Sequence, residues 1–564
     1  IYNTFSILVA QRSREHALLR AIGASRRQVL TAVVAESLVV GAVAVVTGIA
    51  AGLGIAVGLK ALLAGFGVTV PAGGLVLSSS TVLVSALTGI GVTVGAAFAP
   101  ARRAAKVPPV AAMRESALEA PTTSGWRVAR GLVFTALGGV FIAAGLYGNA
   151  HNALVNVGQG ALLIFLGAVA FAPLVAAPVA RVLGAPLAVL RGTPGRLGQG
   201  NAMRNPRRTA ATAASLMIGV ALVGFLSVFA ASAKRSYAAS VDTSVKGSFV
   251  ISGGASEQGG FPPQLADAVA HTRGVKVAAG YKTTTVGIGT ATKTAAGIDP
   301  VAYPQVVDLH VTEGSLADLG DHGVAVVDTL AASHHWHLGD TVTLRFAETG
   351  PRPLTVVAIF TQKIQAAPVV IGTQVFRANV ASQLDTAIYV GTDPGASNAA
   401  ARAALDAATS AYPTAKVETR AQYVKDQLGP VNILLSLADV MLAFGMLVAL
   451  LGIANTLVLS LHERSHELGL LRAVGMTRRQ LRSAVRYEAA IVAGFGTVLG
   501  LVLGTGFGYV LVKASTSTGI GHFTIPTAQL IAIAAVASLA GVLAAGRPAR
   551  RAGRLNILEA IAAA

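Results

Sequence analysis

Long apolar stretches alternate with short polar ones along most of the chain. Runs near 29–59, 81–101, 131–148, 159–180, 209–232, 431–461, 483–512 and 528–546 reach or approach the roughly 20 residues that a helix needs to cross a bilayer. Residues 1–10 read as the last turns of a ninth such helix. With Ile1 rather than Met in first place, the sequence is expected to be a piece of a longer polypeptide. Between 237 and 430 the texture changes. GSFVISG, VKVAAGYKTTTVGIGT, GVAVVDTL, DTVTLRF, LTVVAIF and TAIYVG read as short strands bounded by Gly, Asp and Pro, while SNAAARAALDAATSAY and ETRAQYVKDQLG read as helices. The pattern predicts an α-helical membrane protein with an inserted α+β domain of about 200 residues, long enough to own a core.

The beginning of the chain recurs near its end. Residues 1–36 align without a gap on 453–488, with 17 of 36 positions identical. Each copy continues into an apolar segment, a polar loop, a second apolar segment and a basic tail, AFAPARRAAKVPPVAAMRES in the first and AAGRPARRAGRLNILEAIAAA in the second. Two copies of one membrane module therefore lie in one chain. The domain reading is a first module over 1–115, truncated at its N-terminus, and two linking helices with a basic connector over 116–208. The first helix of the second module follows over 209–236, then the α+β domain over 237–430 and the second module over 431–564. Residues 181–208, rich in Pro, Gly and Arg, read as a polar connector.

Composition agrees with the membrane reading: hydrophobic residues make up 53% and charged residues 12%. The net charge of +19 raises the alternative of nucleic acid, so its location decides. Arg and Lys number five in 12–27, six in 102–130, six in 181–208, six in 464–486 and four in 547–554, whereas the alternate loops 61–80, 149–160 and 514–526 hold none. That is the positive-inside distribution of a multi-pass protein in the cell membrane, with the basic loops cytoplasmic and 237–430 outside. Contact of some of this charge with anionic lipid headgroups follows. No basic run is interleaved with aromatic residues as a stacking platform for nucleic acid requires. Cysteine is absent, so the outer domain holds together without disulfides.

The repeated cytoplasmic segment has a defined local grammar. Ser13 to Ile22 can form a short helix with Leu18, Ala21 and Ile22 on one face, and Gly23 stands where a left-handed residue ends it. Ser25 with Gln28 then forms a capping box that starts the next helix, and Thr477 with Gln480 repeats it. Each copy thus encodes a short helix, a glycine stop and a second helix entering the membrane. An interfacial helix anchored to lipid is one reading. A coupling element moved by a two-fold cytoplasmic partner is the other, and duplication favours it because such a partner needs two equivalent handles.

ERSHELGLLRAVGMTRRQ at 463–480, QRSREHALLRAIGASRRQ at 11–28 and the PARRA tails at 100–104 and 548–552 resemble the FtsX-like permeases of ABC transporters, the group that includes MacB, LolC and LolE. NAMRNPRRTAATAASLMIGVALV at 201–223 is similar to the start of the second half in the two-module, ten-helix branch common in actinobacteria, and 323–344 resembles part of the MacB periplasmic core domain. The resemblance implies internally duplicated FtsX-like modules and a mechanotransmission permease. A separate pair of ATPase subunits, carrying ATP and Mg²⁺, docks on the coupling helices. The residues expected to meet it are Arg12, Glu15, Leu18, Leu19, Arg20, Gly23 and Arg26, and in the second copy Arg464, Glu467, Leu470, Leu471, Arg472, Gly475 and Arg478. The implied work is export or extraction of a hydrophobic lipid, lipoprotein, peptide or drug. The alternative is a non-transporting regulator that activates a cell-wall hydrolase or signals an antimicrobial peptide to a sensor kinase.

No catalytic residue, cofactor or metal is expected in the chain itself. GIGTATKT at 287–294 puts Thr292 where a phosphate loop needs its second Gly. His334, His335 and His337 are a weak metal candidate, interrupted by Trp336, with a solvated helix end as the simpler reading. Glu36 and Glu488 occupy equivalent repeat positions in apolar segments and read as structural, while Asp439 reads as part of a stalk.

Overall fold

The sequence repeat is also a repeat in space. The computed structural model describes residues 5, 9, 12–65, 77–104, 125–148, 153–253, 260–361 and 366–554. Most of the first eleven residues, and the basic tails beyond Ala104 and Arg554, lie outside the described residues. The first module consists of α1 (Ser13–Ala21), α2 (Arg26–Gly65) and α3 (Ser79–Ala104). Two linking helices follow, α4 (Gly125–Tyr147) and α5 (Ala153–Leu190), then α6 (Gly192–Arg204) and α7 (Pro206–Ser244). After the α+β domain come α8 (Gly429–Glu463), α9 (Ser465–Ala473), α10 (Arg478–Ala514), α11 (Thr527–Ala544) and α12 (Gly546–Ala552). In the second module Val485 and Ala549 share a buried cluster with Leu461 against it; their counterparts Val33, Ala101 and Val9 form a cluster in the first.

Seven helices among the described residues are long and apolar enough to cross a membrane. The run expected at 431–461 lies within the single helix α8. Its first turns carry Asn432 and an exposed Asp439. In those turns Asn432 accepts a hydrogen bond from Lys234 of α7.

Small residues set the helix packing, as they must where lipid offers no hydrophobic drive between helices. Gly138 of α4 and Gly160 of α5 face each other so closely that a Cβ on either would stand 2.7 Å from the other's carbonyl oxygen. On α10, Gly496, Gly500, Gly504 and Gly508 recur every four residues along the face that meets α7. A Cβ at Gly496 would lie 2.6 Å from the Ala213 oxygen and one at Gly500 2.9 Å from the Met217 oxygen, while Gly504 meets Ala221 and Gly508 meets Val228. This spacing is visible in the sequence as successive G-x-x-x-G steps, yet the hydropathy pattern alone did not single it out.

The connector departs from expectation. Residues 181–208 are helical almost throughout: α5 continues through Pro173, Pro178 and Pro186 to Leu190, Gly192 turns the chain at φ +58°, and α6 folds back. Gly195 and Gly198 allow this, since they bring α6 against the Leu187 carbonyl of α5 and the Ala484 carbonyl of α10. Its glycines therefore serve close packing as well as loop flexibility.

The outer domain is built on a ten-stranded sheet in the order β10-β1-β9-β2-β3-β8-β5-β7-β4, with β6 pairing with β2 and β7. The expected strands appear as β1 (Phe249–Ser252), β2 (Val275–Ile288), β5 (Gly323–Val327), β6 (Thr341–Phe346), β7 (Gly350–Phe360) and β9 (Ala387–Thr392). The sheet adds β3 (Ala291–Ile298), β4 (Val311–Gly314), β8 (Val369–Gly372) and β10 (Lys416–Thr419). Alternation along a strand sends successive side chains to opposite faces. Ile388 and Val390 of β9, with Phe249 and Ile251 of β1, pack under the helices Pro263–Ala270 and Asn398–Thr409. Tyr389 and Val250 point to the larger core, which also receives Val241 from the end of α7. The rejected phosphate-loop candidate at 287–294 forms the β2–β3 hairpin, turned by Gly289 at φ +58°.

Candidate functional site

The two cytoplasmic corners are built alike, bond for bond. In the first, Ala24 N–H donates to the Leu19 carbonyl (3.0 Å) and Gly23 N–H to that of Arg20 (3.2 Å). In the second, Met476 donates to Leu471 (3.0 Å) and Gly475 to Arg472 (3.1 Å). This pairing is the Schellman motif, which requires a left-handed residue at its turn, and Gly23 and Gly475 supply it at φ +108° and +110°. One residue later the capping boxes begin. Gln28 N–H donates to Ser25 Oγ at 3.2 Å while Ser25 N–H donates to Gln28 Oε1 at 2.8 Å. Gln480 and Thr477 repeat both bonds at the same lengths.

The corners present apolar side chains to solvent at matching positions. Leu18 is 61% and Ile22 82% exposed; Leu470 is 46% and Val474 87% exposed. The members of each pair are four residues apart, so they share a helix face. Leu19 is exposed, whereas its counterpart Leu471 is half-buried against the cluster containing Leu468, Leu481 and Ala549. Glu15, Arg26 and Arg478 are exposed, and Arg20 and Arg472 are half-buried. The outward pair therefore includes Ile22 and Val474, with Val474 absent from the residues singled out by sequence.

Charge ties each short helix to the protein in a different way. In the first module Arg12 reaches both carboxylate oxygens of Glu36 at 3.1 Å. In the second, Arg464 turns to Glu467 at 3.2 Å, and Glu467 also receives Arg204 of the connector at 3.3 Å. The buried Glu488, counterpart of Glu36, accepts a hydrogen bond from Asn201 at 3.2 Å. These groups line a cleft of about 560 Å³ between α6, α8, α9 and α10. Asn201 and Arg204 are contributions that no local pattern reveals, because they come from a helix more than 250 residues away in sequence.

The stalk helices are welded to the outer domain. Lys246 N–H, just past α7, donates to the Val306 carbonyl at 2.8 Å, and Arg420 reaches the Val245 carbonyl at 3.0 Å. Lys246 also pairs with Asp308 at 3.0 Å. The His310 backbone N–H, followed by Lys246, holds the Asp308 carboxyl below the usual carboxylate range. At the outer membrane face, Thr524 N–H donates to Ser232 Oγ and His522 N–H to Ser236 Oγ, both at 3.0 Å, fastening the α10–α11 loop onto α7.

The three histidines do not converge. His334 stacks on Trp336 and contacts Ser333 and the Leu330 carbonyl, His335 turns the chain at φ +56°, and His337 faces Asp340 at 3.7 Å. Among the described residues no three His, Asp or Glu side chains are grouped to hold a metal ion.

The FtsX-like permease C-terminal family model matches residues 1–109 and again 440–557. The MacB-like periplasmic core domain model matches 209–408. The ABC transporter permease protein Rv0987 of Mycobacterium tuberculosis is 25% identical over 608 aligned positions, which cover 100% of this chain and 68% of that protein. The macrolide export ATP-binding/permease protein MacB of Bdellovibrio bacteriovorus is 38% identical over 120 residues, 21% of this chain and 18% of its own length. Among solved structures, the periplasmic region of MacB from Actinobacillus actinomycetemcomitans covers 32% of this chain and 92% of its own, at 13% identity and a TM-score of 0.27. With two FtsX-like modules around a MacB-like periplasmic core domain, this multi-pass membrane protein belongs to the ABC transporter permeases of the MacB/FtsX type.

Proposed function

We propose that the chain passes the stroke of a separate ATPase pair, loaded with ATP and Mg²⁺, from α1 and α9 to the outer domain, and that this motion exports or extracts a hydrophobic substrate. The observation that carries the reading is the duplicated corner: two short helices, each stopped by a Schellman glycine, each showing the same exposed apolar pair, and each continuous through a capping box with a membrane helix. A lipid anchor would bury those apolar side chains equally well, but it gives no reason for a stiff corner leading into α2 and α10.

The long helices suit the proposed transmission. α7 has 39 residues, or about 58 Å at 1.5 Å per residue, roughly twice the hydrocarbon thickness. Its far end is fixed to the sheet domain by Lys246, Val245 and Val241. On the cytoplasmic side, Arg204 at the end of α6 holds Glu467 of α9.

The test is purification of the tagged protein from its own membranes in mild detergent, followed by ATPase measurement. A stoichiometric soluble ATPase pair that is released when Leu18, Ile22, Leu470 and Val474 are replaced by Ser supports the reading. An ATPase retained at full activity by that variant would refute it.

A further inference from the structure

One ion pair differs between the two corners although every residue in it repeats. The gapless alignment sets Arg12 on Arg464, Glu15 on Glu467 and Glu36 on Glu488. In the first module Arg12 crosses from the base of α1 to α2 and meets both oxygens of Glu36 at 3.1 Å. In the second, Arg464 stays with the short helix, on Glu467 at 3.2 Å, and Glu488 takes Asn201 of α6 instead. The intervening corner has the same backbone bonds in both modules. The span that Arg12 closes is therefore one that Arg464 can close too.

Charge is unevenly shared in the second module. Arg204 and Arg464 both come to a single oxygen, Glu467 Oε2, at 3.3 and 3.2 Å, which sets two like charges side by side. Glu488, in the same cleft as Arg464, is bonded by a neutral amide. An ion pair as exposed as Arg204–Glu467 holds weakly, whereas a guanidinium that grips a carboxylate through two N–H groups holds well. Arg208 of α7 lines the pocket behind Glu488, so that carboxylate has a cation near it whichever way Arg464 turns. Neither pairing strands a charge, and two arrangements of similar energy follow.

We propose that Arg464 is a partner-exchange switch: it swings from Glu467 to Glu488, reproduces the pairing of Arg12 with Glu36, and displaces Asn201. α6 then gives up its bond to α10 while Arg204 keeps Glu467 to itself. α6 is also what covers Glu488, since a Cβ at Gly198 would stand 2.9 Å from the Ala484 oxygen and 3.1 Å from the Glu488 nitrogen. Displacing Asn201 thus loosens α6 from the α10 surface and opens the cleft between them. The groups involved all belong to this chain, and the switch does not depend on whether an ATPase moves α9.

The chain has no native cysteine, so spin labels on Thr193→Cys of α6 and Val474→Cys of the corner, both exposed positions, report their separation in the whole chain by pulsed electron resonance in detergent. Glu467→Gln takes the present partner from Arg464, and the share of molecules at a longer distance is expected to rise about threefold over the parent. Adding Arg464→Gln, or Glu488→Gln, is expected to return that share to the parent's value, because no guanidinium then reaches a carboxylate at Glu488. Glu467→Ala gives a second route with the same expectation. A share that stays high or rises further when Arg464→Gln joins Glu467→Gln would overturn the proposal, since fixed ties only loosen as more of them are removed. No longer distance in either Glu467 variant would overturn it as well.

Discussion

Asn201 donates to Glu488 at 3.2 Å across 287 residues of sequence. This bond pins the connector helix α6 to α10 of the second module, and it places a carboxylate's partner on a different structural unit. Removing the donor leaves a buried acceptor unpaired, which costs about 1–3 kcal/mol. Asn201→Leu is therefore expected to lower the thermal midpoint in detergent, while Glu488→Gln, which keeps an acceptor oxygen, is expected to cost less. A melting point unchanged by Asn201→Leu would show that the bond carries no stability.

The seam between α7 and α10 tolerates no side chain at its centre. Gly504→Val puts a branched group against the Ala221 carbonyl and the Phe225 backbone. Overpacking of this kind costs at least ~1–3 kcal/mol. The expected outcome is reduced folded yield by fluorescence-detected size exclusion, with Gly506→Val, whose Cβ meets nothing within 4 Å, close to the parent.

Replacing Leu470 and Val474 by Ser removes exposed apolar surface only, so the fold is expected to shift by less than about 0.5 kcal/mol. If these side chains anchor an ATPase, their loss weakens its binding about tenfold or more, the ~1–2 kcal/mol typical of interface anchors. Titration of the purified ATPase against both proteins, with melting curves alongside, separates the two effects.

In the outer domain Lys282 and Asp385 form a buried ion pair, and Asp385 Oδ2 has no hydrogen-bond partner. Breaking such a pair on one side costs about 3–5 kcal/mol. Lys282→Met is expected to unfold the domain at lower temperature, and Lys282→Met with Asp385→Leu to recover most of the loss, because no lone charge then remains buried. Differential scanning calorimetry of the two variants gives the comparison.

Glu418 on β10 is expected to make the sheet edge sensitive to pH. Burial pushes its carboxyl up to about 7, with Asp426 adding to the effect and the Ser252 hydroxyl opposing it. The folded state then holds a proton that the unfolded chain releases near 4.5, so this group's contribution to stability falls as pH rises from about 4.5 to 7. Hydrogen-exchange protection along β1 and β10, corrected for the intrinsic rate at each pH, should fall between about pH 4.5 and 7, and Glu418→Gln should remove most of that fall. An identical pH response in both proteins would exclude Glu418 as its source.

Much of this architecture was legible because it depends on local rules. The repeat, the glycine stops at Gly23 and Gly475, and the capping boxes of Ser25 and Thr477 are all set by residues within a few positions of one another, and each appears as read. Apolar length marked the helices for the same reason. The short strands β4, β8 and β10 were not legible, since four-residue segments gain their strand geometry from neighbours in the sheet. The partners of Glu467 and Glu488 were hidden because α6 supplies them from a distance, and because its Gly and Pro content looks like a loop until α5 and α10 are there to pack against. The half-burial of Leu471 against the exposure of Leu19 has the same origin: identical residues in identical local settings take different surroundings from the rest of the chain.

The Schellman turn and the capping box stand back to back around Gly475 and Thr477, and their hydrogen bonds hold all four backbone N–H groups between α9 and α10. Such a corner has no soft torsion in which to dissipate a displacement. Force applied at Val474 would reach α10 as torque on a bent rod, tilting the whole helix about its packing against α7, and the smooth glycine seam offers little interlocking resistance to that tilt. Were the cytoplasmic tip displaced, so stiff an elbow would pass a small movement on as a larger excursion some 50 Å away along α10.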